Sequence, residues 1–197
     1  DAVVVAVGTH RPRGMSFEGS ASSVTAYDFL KRANTGKARS LRGKDVLILG
    51  AGNVGMDVAT EAYRLGAVQV TAVDIQKPAA FGKELELARS LGTRILWPLF
   101  VDRYVRKERR AYFKDGSSID ADVVIVAIGD EPATDFLPPS VHTGRDGSIV
   151  ADEAGHTSDP KIFAIGDVVS PGLVTHAIGQ GRKAAAAVHA LLSGISS

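Results

Sequence analysis

One stretch constrains the chain more than any other: Asp45-Val-Leu-Ile-Leu-Gly-Ala-Gly-Asn-Val-Gly-Met-Asp-Val-Ala59. A short apolar run ends in glycines spaced G-x-G-x-x-G at Gly50, Gly52 and Gly55, and a helical pattern follows. Val54, Val58, Ala59 and Ala62 are expected on one buried face of that helix. A second strand, Val68 to Val73, then ends at Asp74, about two dozen residues after Gly50. Strand, tight glycine turn, helix, strand and acid in this order predict a dinucleotide-binding unit. Gly50 permits the sharp turn, Gly52 lets the backbone approach a pyrophosphate, and Gly55 lets the helix lie close on the strand. The helix N-terminus then faces the phosphates, and Asp74 holds the adenosine ribose hydroxyls. The candidate binding residues are Gly50, Ala51, Gly52, Asn53, Val54, Gly55 and Asp74. A ligand-free glycine turn with Asp74 as a strand-end cap is the competing reading, and the joint register disfavours it.

Composition narrows the remaining possibilities. The 197 residues are 45% hydrophobic and 23% charged, which fits a chain with a real core. A net charge of +1 implies no general pull toward nucleic acid or membrane. The chain has no cysteine, so it carries neither a disulfide nor a thiolate metal site, and no metal ligands are expected. No segment reads as a membrane span or a signal peptide, and the cytoplasm is the default compartment. Asp1-Ala-Val-Val-Val-Ala-Val7 opens directly in a buried-type strand, which suggests a segment of a longer protein.

Taken in order, residues 2–7 form an all-apolar strand expected in the middle of a covered parallel sheet. A polar loop from His10 to Ser23 follows. His10, Arg11 and Arg13 could meet a phosphate there, with a solvated loop the preferred reading. Ser23 is expected to cap a helix from Val24 to Asn34. After the nucleotide unit, in which Asp57 reads as a helix-surface carboxylate, a helix from Phe81 to Leu91 and a strand from Arg94 to Trp97 are expected. From Leu99 to Ile119 the period switches to two, with a turn at Lys114-Asp-Gly116, predicting an antiparallel β-meander. Its Arg103, Arg106, Lys107, Arg109 and Arg110 alternate with acids and read as a solvated face. Asp122 to Gly129 is another buried strand that echoes Asp1 to Gly8 almost residue for residue, implying two sheets or two sites. Short strands at Ser148–Val150 and Lys161–Ile165 precede a helix from Leu173 to Leu192. Gly179 and Gly181 suggest that something packs close against that helix.

Three separated pieces match one family pattern: Gly50-x-Gly-x-x-Gly55, Ala127-Ile-Gly-Asp-Glu-Pro132, and Phe163-Ala-Ile-Gly-Asp167 followed by Ala177-Ile-Gly-Gln-Gly-Arg-Lys-Ala-Ala185. On these residues the chain resembles the FAD-dependent pyridine-nucleotide oxidoreductases, most closely the branch around the glutamate synthase small subunit. The resemblance implies an α/β fold: a Rossmann-like NAD(P)-binding domain with a parallel sheet and β-meander, nested in part of an FAD/NAD(P)-binding domain. Residues 1–40 would be part of the FAD domain with a linker helix, 41–130 the NAD(P) domain, and 131–197 the C-terminal part of the FAD domain. Gly166 and Asp167 would take the ribityl or pyrophosphate region of FAD, and Thr175, His176 and Ala177 would open a helix facing the flavin. Gly129 would stand beside NAD. His176 is not expected to be catalytic, and no side chain need act as acid, base or nucleophile, because the cofactors carry the chemistry. The family's first FAD unit and the iron–sulfur cysteines of this branch are absent from the chain. The implied partner is therefore that N-terminal FAD/iron–sulfur portion or an electron-transfer subunit, and the isolated chain is not expected to be active alone.

The resulting expectation is the nicotinamide-docking part of a flavin-dependent oxidoreductase that passes hydride from NAD(P)H to FAD. Asp74 accepts from ribose hydroxyls and repels a 2′-phosphate, which favours NADH over NADPH. The competing reading is a nucleotide-sensing binding module without catalysis. Such a module has no use for Phe163-Ala-Ile-Gly-Asp167 or the helix after it, and their presence favours the enzyme.

Overall fold

The computed structural model describes residues 1–194. In chain order, its first elements are β1 (Val3–Val5), β2 (Arg11–Pro12), β3 (Val24–Thr25), α1 (Ala26–Asn34), β4 (Asp45–Leu49) and α2 (Asn53–Arg64). Next come β5 (Gln69–Val73), α3 (Gly82–Ser90), β6 (Arg94–Leu96), β7 (Val101–Val105), β8 (Arg110–Phe113) and β9 (Ser118–Asp120). The last are β10 (Val123–Val126), β11 (Asp130–Glu131), β12 (Ile162–Ala164) and α4 (Val174–Ser193). The chain divides into two compact units, one made of 1–11 with 130 onward and the other of 12–129. Residues 195–197, the end of the expected third segment, lie outside the described residues.

The 12–129 unit is built on a parallel sheet in the order β3-β10-β4-β5-β6. Side chains alternate across a strand, so the continuous apolar run of β4 serves two cores. Val46 and Ile48 face α1, α2 and α3, packing with Phe29, Met56, Val58, Ala59 and Ala88. Leu47 and Leu49 face the opposite side and pack with Tyr104, Ala111 and Phe113. Those three residues belong to the antiparallel β7-β8-β9 meander, which covers the second face where a crossover helix would otherwise lie. Both sheet faces are thus dry, and each fully buried Val, Leu or Ile contributes on the order of 1.5–3 kcal/mol.

Residues 12–40, placed with 1–11 in the expected division, belong to the same compact unit as 41–129. Val24 and Thr25 are not helical; they form an edge strand paired with Ile125 and Val126. The helix begins at Ala26, and its cap is Thr25 rather than Ser23, with the Thr25 hydroxyl accepting from Asp28 N at 3.1 Å. Ser23 Oγ instead donates to Ser20 O at 2.6 Å, closing the preceding turn.

In the other unit, β1 pairs in parallel with β12, Val3 opposite Ile162 and Val5 opposite Ala164. A small core gathers Val5, Val141, Ile149, Ala164 and Val168. The expectation of a central, covered β1 is corrected: Val3 and Val4 are 56% and 46% exposed. Among the described residues β12 is its one strand neighbour, so only Val5 is buried. Ser148–Val150 forms no strand; Ile149 makes an isolated bridge to Thr143. On α4, a Cβ added at Gly181 would meet Ile165 Cδ1 at an ordinary 3.8 Å, while Gly179 faces open space. The expected close packing is thus absent at both glycines, since a side chain would fit at either. No helix among the described residues is long and apolar enough to cross a membrane.

Candidate functional site

The carboxyl edge of the parallel sheet carries the glycine turn. Gly50 follows β4 at φ 111°, and an added Cβ would lie 2.3 Å from Ala127 O at the end of β10, so no side chain fits. Gly50 N donates to Val73 O at 2.8 Å, locking the turn to β5. An added Cβ on Gly55 would lie 2.3 Å from Gly50 O, which shows how closely α2 approaches the strand that feeds it. Gly52 faces open space. The first α-helical bond of α2 runs from Met56 N to Gly52 O at 3.1 Å, so the amides of Asn53, Val54 and Gly55 have no intrahelical acceptor. No acidic side chain stands in this first turn.

Asp74 closes the turn from the β5 side. One carboxylate oxygen accepts from Ala51 N at 2.8 Å and the other from Gln76 N at 3.2 Å. Two more bonds bring the segment after Asp74 back to the glycine turn: Ala80 N donates to Ala51 O at 3.3 Å, and Phe81 N donates to Asn53 Oδ1 at 2.9 Å. The result is a cavity of about 580 Å³ lined by Gly50, Gly52, Asn53, Val54, Asp74 and Gly129, with Arg13 and Gln76 at its walls. Ala51 and Gly55 do not line it; their backbones shape the turn behind it. Val54, expected on the buried helix face, is 41% exposed and faces the cavity, whereas Met56 takes a core position. Arg13, read as part of a solvated loop with a phosphate contact as the alternative, and Gln76, which the sequence did not single out, both line the cavity. The signal available for Arg13 was its place in a basic loop before a sheet edge.

The other unit brings Gly166, Asp167 and Ala177 together with Ala6, Gly8 and Ile165 around a cavity of about 320 Å³. Gly166 turns at φ 76° and its N–H donates to Gln180 Oε1 at 2.6 Å. Asp167 Oδ1 accepts from Gly172 N at 3.1 Å, fixing the turn before α4. Thr175 and His176 lie in the first turn of α4 but do not line the cavity; the His176 ring stands beside Gly172 instead. Gln180 holds this turn from one helical turn further on, a role that motif matching did not assign.

Charge elsewhere is largely spent on structure. Asp122 accepts from Asp45 N at 3.0 Å and pairs with Lys44 and Arg109, each at 3.3 Å. Burial pushes its carboxyl up, but these bonds and cations outweigh it and hold the pKa below the ordinary range. On the meander, Arg103 pairs with Asp102 and Arg110 with Asp120, and Arg103 stacks over Tyr112 at 4.3 Å. Asp57 lies on the outer surface of α2, away from the cleft. Burial among the helices pushes its carboxyl up, and Glu84 adds to the shift.

Comparisons with known proteins agree with this architecture. The fold is shared with T. acidophilum thioredoxin reductase, at a TM-score of 0.81 and 23% identity, over 99% of this chain and 66% of that one. Over its whole length, the chain is 31% identical to 48% of the NAD-dependent dihydropyrimidine dehydrogenase subunit PreT of Escherichia coli. It is 34% identical to the glutamate synthase [NADPH] small chain of the same organism, over 94% of this chain and 49% of that protein. The chain thus spans about half the length of these curated relatives. Residues 1–181, most of both compact units, match a single family, and the chain belongs to the pyridine nucleotide-disulphide oxidoreductases.

Proposed function

We propose that the chain is the nicotinamide-nucleotide-docking part of a flavin-dependent oxidoreductase, taking NADH in preference to NADPH. The observation that carries this is the cleft at the sheet's carboxyl edge. There the unpaired amides of α2, the open backbone at Gly52 and the Asp74 carboxylate line one cavity. Gly50 and Gly55 leave no room for a Cβ, and Gly52 leaves open space where a phosphate backbone needs it. These residues fit a dinucleotide. Asp74 accepts from the 2′- and 3′-hydroxyls of an adenosine ribose and repels a 2′-phosphate. The names of the two relatives differ on this point, one NAD-dependent and the other [NADPH], so the choice rests on the residues.

The 12–129 unit is the nucleotide domain in this reading, and the unit of 1–11 with 130 onward is part of an FAD domain. Gly166, Asp167 and Ala177 shape the cavity that would receive FAD, with Gln180 holding the turn. When bound, the two cofactors supply the redox chemistry: a hydride, with its two electrons, leaves the reduced nicotinamide for the flavin. The side chains of this chain bind and orient; none supplies or removes a proton. The partner is an N-terminal FAD/iron–sulfur portion or an electron-transfer subunit.

The test uses the full-length protein loaded with FAD. Anaerobic mixing with NADH is expected to bleach the flavin absorbance, and NADPH to do so more slowly at equal concentration. Binding of NADH without bleaching would contradict hydride transfer and leave a sensing module.

A further inference from the structure

The same cleft holds a cation that the glycine pattern does not predict. Among the described residues lining the cavity, Arg13 is the one cation and Asp74 the one carboxylate. They stand on different strands' ends. Asp74 follows β5, whereas the Arg13 backbone is fastened at the end of β10, its N–H donating to Gly129 O at 3.0 Å. In the sheet order β4 lies between those two strands, so the glycine turn after β4 sits between the two charges. Arg13 is exposed and, unlike Arg103, Arg109 and Arg110, has no ion-pair partner among the described residues. A guanidinium with no partner, anchored through its own backbone beside the free amides of a helix N-terminus, is organised for an anion.

Resting on the nucleotide reading above, we propose that Arg13 pairs with the pyrophosphate of the bound dinucleotide from the wall opposite Asp74. The chemistry divides the cleft. The ribose hydroxyls need an acceptor, which Asp74 supplies. The pyrophosphate is the anionic centre of the ligand, and the α2 N-terminus offers only about half a unit of positive charge toward it. Arg13 supplies a full charge and a planar fork of donors that matches phosphate oxygens. The glycine turn stands between the two charges, and each Asp74 oxygen holds one amide and keeps a second lone pair for a hydroxyl. Arg13 is therefore an affinity-determining residue, and it contributes to NADH and NADPH alike.

The test titrates NADH into the wild-type chain, Arg13→Gln and Arg13→Lys at several salt concentrations, with thermal unfolding of each unliganded protein alongside. Arg13→Gln is expected to weaken NADH about tenfold or more, as loss of a charge-assisted bond requires. It is also expected to flatten the salt dependence of the affinity without changing the unfolding temperature. Arg13→Lys is expected to restore the salt dependence and part of the affinity. An Arg13→Gln affinity within twofold of wild type would overturn the proposal, as would weakening with an unchanged salt dependence. Failure of the wild type to bind NADH would overturn the nucleotide reading itself, and this inference with it.

Discussion

At the scale of single residues, Asp122 holds the fold away from the cleft, whereas Asp74 lines it. Asp122 is the clearest structural case, joining the Asp45 amide at the start of β4 to Lys44 and Arg109. Its folded pKa is depressed, so the stability it lends is fully present above the unfolded value, about 4. That stability is lost as pH falls through the lower folded value. Asp122→Asn is expected to cost about 1–3 kcal/mol at pH 7, because it weakens a partly buried, charge-assisted network. Urea unfolding at pH 7 and at pH 3 checks this, with the gap between variant and wild type narrowing at the acid pH. Asp74, by contrast, holds two backbone amides and still lines the cleft. The sequence offered ribose acceptor and strand-end cap as alternatives, whereas the residue caps the turn and lines the cleft at once; its position was legible because strand end and acid are local features. Arg13 was legible only as one of three basic loop residues, since the long-range bond to Gly129 is what brings it to the sheet edge.

At the scale of elements, burial on both faces explains why β4 reads as one apolar run, and period-two alternation explains why the meander was legible. The two-residue β3 was read as helix. Val24 and Thr25 adopt strand geometry through pairing with Ile125 and Val126, about a hundred positions away, and no local pattern records that. The segment from Asp74 to Phe81 shows the same non-local control. Asn53 Oδ1 accepts from the Phe81 amide, so Asn53 holds the loop as well as offering its own helix-start amide at the cavity. Asn53→Ala is expected to speed hydrogen exchange at the Phe81 amide and to weaken NADH by roughly fivefold, the loss of about 1 kcal/mol expected when one such bond is removed. Asn53→Asp, which keeps the acceptor, is expected to restore the slow exchange while placing a negative charge near the phosphates.

At the scale of the whole molecule, each unit carries a cavity at a glycine turn where a strand ends. The sequence repeat between Asp1–Gly8 and Asp122–Gly129 announced this arrangement, although the two strands differ in cover. β10 lies inside a five-stranded sheet, while β1 leaves Val3 and Val4 exposed beside β12. An apolar pattern states what a strand tolerates and does not count its neighbours. The central claim is that the larger cleft selects a dinucleotide through Asp74. Its most direct test is calorimetric titration of the chain and of Asp74→Ala with NADH and NADPH side by side. The account predicts that the wild type binds NADH at least about tenfold tighter than NADPH, about 1.4 kcal/mol, and that Asp74→Ala erases the difference. Equal affinity for both nucleotides in the wild type, or an unchanged preference in Asp74→Ala, would contradict it.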